Sequence, residues 1–121
     1  MTIKDGQVVR VNRRFSQDPK ASRHPGVIVA NDSAEIWIAI CTDVKHRSLF
    51  PNSVNINYAE CGLSKPTIVI CDKLAKVHPS EITHIYGDLS YSDFKEVEYA
   101  VNKHHGLDKM FEYREVSCGN D

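Results

Sequence analysis

The 121-residue chain lacks most of the patterns that identify a large enzyme class from sequence. No apolar run approaches the roughly 20 residues that a membrane helix needs. The first ten residues, MTIKDGQVVR, contain no apolar segment of the kind found in signal peptides. Glycine-rich nucleotide loops and the G-x-S-x-G pattern of serine hydrolases are also absent. We therefore expect a cytoplasmic protein with no membrane contact and neither of these two chemistries.

Metal-ligand spacings are missing as well. The four cysteines include no C-x-x-C pair, and the six histidines include no H-E-x-x-H. The sequence therefore predicts neither a metal nor another cofactor. Cys41 and Cys71 each end a run typical of a β-strand, so we expect buried thiols at these positions rather than disulfides.

Charge of one sign is also lacking, since the formal net charge is −1. A site for a polyanion would therefore have to be a local patch. Two polar loops, 13–23 and 43–48, flank a predicted hairpin of two apolar strands, 26–30 and 35–42. Antiparallel pairing of these strands places both loops at one end, where arginine and histidine could hold a phosphodiester and move a proton. The alternative is that the loops are charged only because they are solvated.

The apolar pattern predicts a single domain over 1–121, with a core at about 6–107 and a frayed tail at 108–121. It is mainly β (α+β), with short strands near 9–11, 26–30, 35–42, 54–58, 67–71 and 83–86. One late helix is capped by Ser90, with Asp93 in capping-box spacing and Gly106 as its stop. These elements predict a small, strongly bent antiparallel sheet or barrel with a C-terminal helix packed on it.

The order of the segments resembles the PemK/MazF family of toxin–antitoxin endoribonucleases. The resemblance covers about residues 6–107. It rests on GQVVRV at 6–11, HPGVIVAND at 24–32, IAICT at 38–42, FPNSVNI at 50–56, GLSKPTIVICDKL at 62–74, GDLS at 87–90 and HGL at 105–107.

This resemblance implies an SH3-like barrel that forms a homodimer, cuts single-stranded RNA without a metal and is silenced by a small antitoxin. Cleavage would proceed by attack of the RNA's own 2′-hydroxyl on the adjacent phosphate. The catalytic positions carried over are His24 with Arg23 beside it, Cys41 or Thr42, and Asp72. His24 would exchange protons, Arg23 would bind the developing negative charge, Thr42 would hydrogen-bond the phosphate, and Asp72 would act as a base or orient a partner.

Further basic and aromatic residues are expected to bind the RNA strand. They are Arg13, Arg14, Lys45, His46, Arg47 and Phe50. The chain also departs from the family pattern: histidine replaces the usual arginine before the proline, cysteine replaces a threonine at position 41, and Ile70 stands where some members have arginine. Two alternatives therefore stay open, a barrel that binds nucleic acid or protein without catalysis, and a toxin that acts on a protein target, as in the related CcdB group.

Overall fold

The computed structural model describes residues 3–12, 24–32 and 35–105, with only the backbone at position 105. Six strands and one α-helix, α1, make up most of this part, together with two 3-10 helices at Val44–Leu49 and Pro79–Glu81. The strands are β1 Gln7–Val11, β2 Pro25–Asp32, β3 Glu35–Asp43, β4 Ser53–Asn55, β5 Thr67–Val77 and β6 Ile82–Asp88, and α1 is Tyr91–His105.

The six strands form one antiparallel sheet in the order β4-β5-β3-β2-β1-β6. The predicted antiparallel sheet with a C-terminal helix is confirmed. The sheet is not closed into a barrel, because no backbone ladder joins the outer strands β4 and β6 within the described residues. Register shifts interrupt the β1–β6, β2–β3 and β3–β5 ladders, and such bulges bend a strand and increase its twist.

Both faces of the sheet carry apolar side chains. Val8 and Val27 belong to the cluster that also contains Val97 and Val101 of α1. Their chain neighbours Val9 and Ile28 belong to a second cluster, with Ile38. Successive strand residues point to opposite faces, so a strand buried on both sides reads as a continuous apolar run. This explains the unbroken run at the start of β2.

Several element bounds differ from those predicted. β5 continues to Val77 rather than ending at 71, because β3 offers its second half a pairing partner, with Leu74 opposite Ala39 and Val77 opposite Ile36. β2 continues through Asp32, two residues beyond the predicted strand 26–30. The predicted strand 54–58 is limited to Ser53–Asn55, and most of the second polar loop is helical.

The helix start is built partly as predicted. Ser90 Oγ accepts the backbone N–H of Asp93 at 3.1 Å, which satisfies one of the free donors of the first turn. The Asp93 carboxylate accepts the backbone N–H of Asn57 at 2.7 Å. This bond ties the segment after β4 to α1. The predicted stop at Gly106 and the tail 108–121 lie outside the described residues.

In the part of the chain that the structure describes, no helix has the length and apolar character to cross a membrane.

Candidate functional site

The sheet register brings His24 and Thr42 together. Gly26 of β2 pairs with Ile40 of β3 at the end of this ladder, and the same register continued by two residues sets His24 across from Thr42. Both residues line the same two cavities. Side chains at directly opposed positions of an antiparallel pair lie on the same face. The end of this hairpin therefore carries an imidazole beside a hydroxyl.

Two cavities meet at this place, and we call them together the groove. The first cavity has a volume of about 370 Å³ and the second about 260 Å³. His24, Thr42 and His46 line both. The other residues of the first cavity are Pro25, Asp43, Lys45, Gly62, Leu63, Ser64, Lys65, Thr67 and Tyr86, and those of the second are Ile40, Leu49, Phe50, Ile70 and Lys73.

The 3-10 helix after β3 carries His46 into the groove. Asp43 caps this helix, since its Oδ1 accepts the backbone N–H of Lys45 at 3.0 Å. Lys45 and His46 then line the first cavity, whereas Arg47 is exposed and lines neither cavity. His24, next to the first polar loop, and His46, in the second, both line the groove. The first loop, 13–23, lies outside the described residues, so the predicted meeting of the two loops stays a prediction.

The electrostatics of the groove favour a neutral imidazole at His24. Burial lowers the pKa of His24 below its ordinary value of 6.5, and the nearby His46 lowers it further. Both effects disfavour the protonated form. At neutral pH this side chain is therefore able to accept a proton.

The second cavity has an apolar wall beside a cation. Leu49 is 69% exposed at its edge. The Lys73 ammonium lies 5.3 Å from the centroid of the Phe50 ring, within the range of a cation–π contact. A flat apolar group such as a nucleobase fits such a wall, with the lysine placed for an adjoining phosphate.

The structure separates the two candidates at the end of β3. Cys41 is fully buried in the core cluster that contacts α1, and burial raises the pKa of its thiol. Thr42 lines both cavities although it is only 8% exposed. The hydroxyl, rather than the thiol, faces the groove. Cys41 and Cys71 are free and buried, so the expectation of buried thiols is confirmed.

Asp72 does not line either cavity. Its Oδ2 accepts a hydrogen bond from Asn52 Nδ2 at 3.0 Å, and its buried Oδ1 has no partner among the described residues. This carboxylate is thus held at the β4–β5 side of the sheet rather than beside His24. Its catalytic role stays a prediction.

Three predicted site residues, Arg13, Arg14 and Arg23, lie outside the described residues. Lys65 and Lys73 line the groove although the sequence analysis did not predict them as site residues. Lys65 could have been predicted as a site residue because it is a cation in the polar turn before β5. Lys73 could be predicted only once β5 is known to continue beyond residue 71. Among the described residues, no group of three or more histidine, cysteine or acidic side chains could hold a metal ion.

Solved structures share this fold at low sequence identity. An endoribonuclease in complex with its cognate antitoxin from a mycobacterial species is 19% identical, with 88% of this chain and 97% of that chain covered and a TM-score of 0.66. The MazE–MazF complex from Deinococcus radiodurans is 16% identical, with 88% and 99% covered and a TM-score of 0.66. The Mycobacterium tuberculosis toxin MazF-mt6 is 16% identical, with 81% and 94% covered and a TM-score of 0.63.

No curated protein matches the sequence significantly. One protein family does, over residues 4–105, and its description is PemK-like, MazF-like toxin of type II toxin–antitoxin system. The match spans most of the chain and all of the strands described above. The chain therefore belongs to the PemK-like, MazF-like family of type II toxin–antitoxin toxins.

Proposed function

We propose that this toxin is an endoribonuclease that cleaves single-stranded RNA, mRNA in the cell, without a metal. The observation that carries the proposal is the junction of the groove, where the two imidazoles of His24 and His46 flank the Thr42 hydroxyl. These are the groups that phosphodiester transfer needs in order to move protons and to hold a phosphoryl oxygen.

In the proposed step the 2′-hydroxyl oxygen attacks the adjacent phosphorus, and the bond from phosphorus to the 5′-oxygen breaks. The products are a 2′,3′-cyclic phosphate and a free 5′-hydroxyl. The proton of the 2′-hydroxyl passes to the neutral His24, the departing 5′-oxygen takes up a proton from solvent water, and His24 then returns its proton to solvent. No protein nucleophile is needed, because the RNA supplies its own.

The proposal gives the other site residues supporting roles. Thr42 would donate a hydrogen bond to the phosphate, and Lys45, His46 and Lys65 would contact neighbouring phosphates along the first cavity. Phe50 would stack on a base in the second cavity. Arg23 as the charge-binding group, Asp72 as base or orienting group, and Arg13, Arg14 and Arg47 as further backbone contacts remain parts of the same proposal.

We further propose that the chain works as one cytoplasmic domain over 1–121, as a homodimer, and that a small antitoxin silences it. Two of the structural relatives are described as complexes, one with a cognate antitoxin and one of MazE with MazF. An antitoxin segment that covers the groove would block access to His24 and Thr42.

A second candidate function is RNA binding without cleavage. It is favoured by Asp72, whose carboxylate lies away from the groove and bonds Asn52 instead. The two functions differ in whether RNA that binds in the groove is also cut.

The test is incubation of a long RNA with the protein in EDTA, with the wild type compared with His24→Ala. We expect discrete cuts that leave 2′,3′-cyclic phosphate ends, and their loss in the variant. Lys95→Gln serves as a matched control, because this exposed lysine of α1 lines neither cavity. Binding without any cut at high protein concentration, by protein shown to be folded by circular dichroism, would favour the second candidate and overturn the first.

A further inference from the structure

The groove does not end at the first cavity. Tyr86, which lines that cavity, also lines a third cavity of about 500 Å³, shared with Arg10, Asn12 and Thr83. Three cavities thus follow one another across the molecule. The second and first share His24, Thr42 and His46, and the first and third share Tyr86. None of the residues beyond Tyr86 belongs to the groove as defined above.

The sheet register places Arg10 next to a residue of the first cavity. Arg10 of β1 pairs with Pro25 of β2 on one side and with His84 of β6 on the other. Directly opposed side chains of antiparallel strands share a face. Arg10 is therefore a direct lateral neighbour of Pro25, which itself lines the first cavity.

The guanidinium of Arg10 is held in place, and no carboxylate of the described residues neutralises it. Its Nε donates to Thr83 Oγ1 at 3.2 Å, and the Thr83 hydroxyl donates in turn to the Arg10 carbonyl at 3.3 Å. Of the two arginines that the structure describes, Arg10 lines one of the three cavities and Arg47 lines none.

The aromatic ring at the junction is also fixed. The rings of His84 and Tyr86 meet edge to face, with centroids 4.9 Å apart and planes at 83°. On the other side, the segment after β4 packs closely on the Tyr86 backbone at Gly62. An oriented aromatic ring beside an anchored guanidinium is the usual composition of a subsite for one nucleotide of a single strand.

We propose that the RNA strand crosses Tyr86 and occupies a second subsite, in which one base stacks on Tyr86 and the adjoining phosphate binds Arg10. Asn12 and Thr83 supply polar contacts at its outer side. The identity of the ligand as RNA rests on the proposed function. The subsite would lengthen the bound segment by at least one nucleotide beyond the cleavage site.

The test measures binding of 2′-O-methyl oligouridines by fluorescence anisotropy, because this backbone cannot undergo 2′-hydroxyl attack. Strands of about four and about twelve nucleotides are compared, the longer one able to span all three cavities. We expect Arg10→Gln and Tyr86→Leu each to weaken the longer strand by at least about fivefold and the shorter one much less. Arg10→Gln should also reduce the slope of log affinity against log salt by about 0.7, the value for one phosphate contact on a single strand.

Two variants serve as controls. Lys95→Gln removes a cation from the outside of α1 and should leave both affinities unchanged, and Arg10→Lys should restore most of the salt slope. If Arg10→Gln binds the longer strand as tightly as the wild type, the subsite does not exist. Cleavage at discrete sites together with that result would overturn the subsite alone, whereas Arg10-dependent binding without cleavage would overturn only the proposed nuclease activity.

Discussion

Two adjacent residues at the end of β3 show how strand alternation assigns chemistry. Cys41 points into the core, while Thr42 faces the groove. Sequence alone could not choose between them, because the choice depends on which face of β3 the helix covers. His24 was predicted as a site residue from the family resemblance, and Lys45, His46 and Phe50 as residues that bind the RNA strand. All four line the groove.

The hydroxyl of Thr42 can be tested by Thr42→Val, which keeps the shape of the side chain. We expect the cleavage rate to fall about a hundredfold, the size of effect seen when one preorganised donor to a developing oxyanion is lost. The free energy of unfolding should change by less than about 1 kcal/mol, since valine has nearly the same shape as threonine. Single-turnover cleavage and urea unfolding measure the two quantities. A variant that cleaves at the wild-type rate would remove Thr42 from the mechanism.

The lowered pKa of His24 predicts the pH dependence of cleavage. A base must be unprotonated, so the rate should hold across neutral pH and fall as the pH drops through the lowered pKa, below the ordinary value of 6.5. His46→Ala removes the neighbouring positive charge, which should raise the pKa of His24 and move the acid fall to higher pH. The shift should be modest, because burial is the larger cause.

Rate profiles of cleavage against pH for the wild type and His46→Ala measure this shift, and a fall that moves to lower pH would contradict the assignment.

At the scale of elements, the backbone course of the segment between β4 and β5 was the hardest to predict from local sequence patterns. Tertiary contacts set its course: the Asn57 backbone N–H donates to the Asp93 carboxylate, and Gly62 packs closely on the Tyr86 carbonyl. The same reason explains the two lysines that sequence reasoning missed. Lys65 reaches the first cavity because this segment folds back on β6, and Lys73 reaches the second because β5 continues beyond its apolar half.

Gly62→Ala tests this segment. Gly62 has φ +82°, and an added Cβ would collide with the Tyr86 carbonyl oxygen, so both backbone conformation and space oppose a side chain. We expect a loss of more than about 1 kcal/mol in the free energy of unfolding. The rate of RNA cleavage should fall by more than the loss of folded protein explains. Gly62 lines the first cavity, so its displacement changes the cavity wall.

Urea unfolding and cleavage at a temperature where both proteins are folded measure the two effects of Gly62→Ala. Ser64→Ala, an exposed change in the same segment, should alter stability by less than about 0.5 kcal/mol. Equal losses in the two variants would show that the close approach at Gly62 has no special role.

At the scale of the whole molecule, the apolar core was the most predictable feature and the openness of the sheet the least. Buried strands are recognisable as apolar runs, but whether a bent sheet closes depends on pairing between its first and last strands in space. Within the described residues β4 has three residues and pairs with β5 but not with β6, so the two edges of the sheet stay unjoined.

The core itself can be examined through its thiols. Cys41, Cys61 and Cys71 are free and completely buried in one apolar cluster. Burial raises the pKa of all three and brings that of Cys71 to about 12, so a thiolate is rare at pH 8. We therefore expect iodoacetamide to leave these three cysteines unmodified for hours in the native protein and to modify all of them in denaturant.

Peptide mass spectrometry reads each cysteine separately, so Cys118 does not interfere with this measurement. Labelling of the three buried thiols at one common rate would indicate opening of the whole domain, since they share one cluster. Gly62→Ala lowers the stability and should therefore raise the labelling rate of all three thiols. The increase should be largest at Cys61, the neighbour of the substituted glycine. Rapid labelling of Cys71 in the native wild type would contradict the packed core, because this thiol lies in β5 beneath α1 and no local loop movement would expose it.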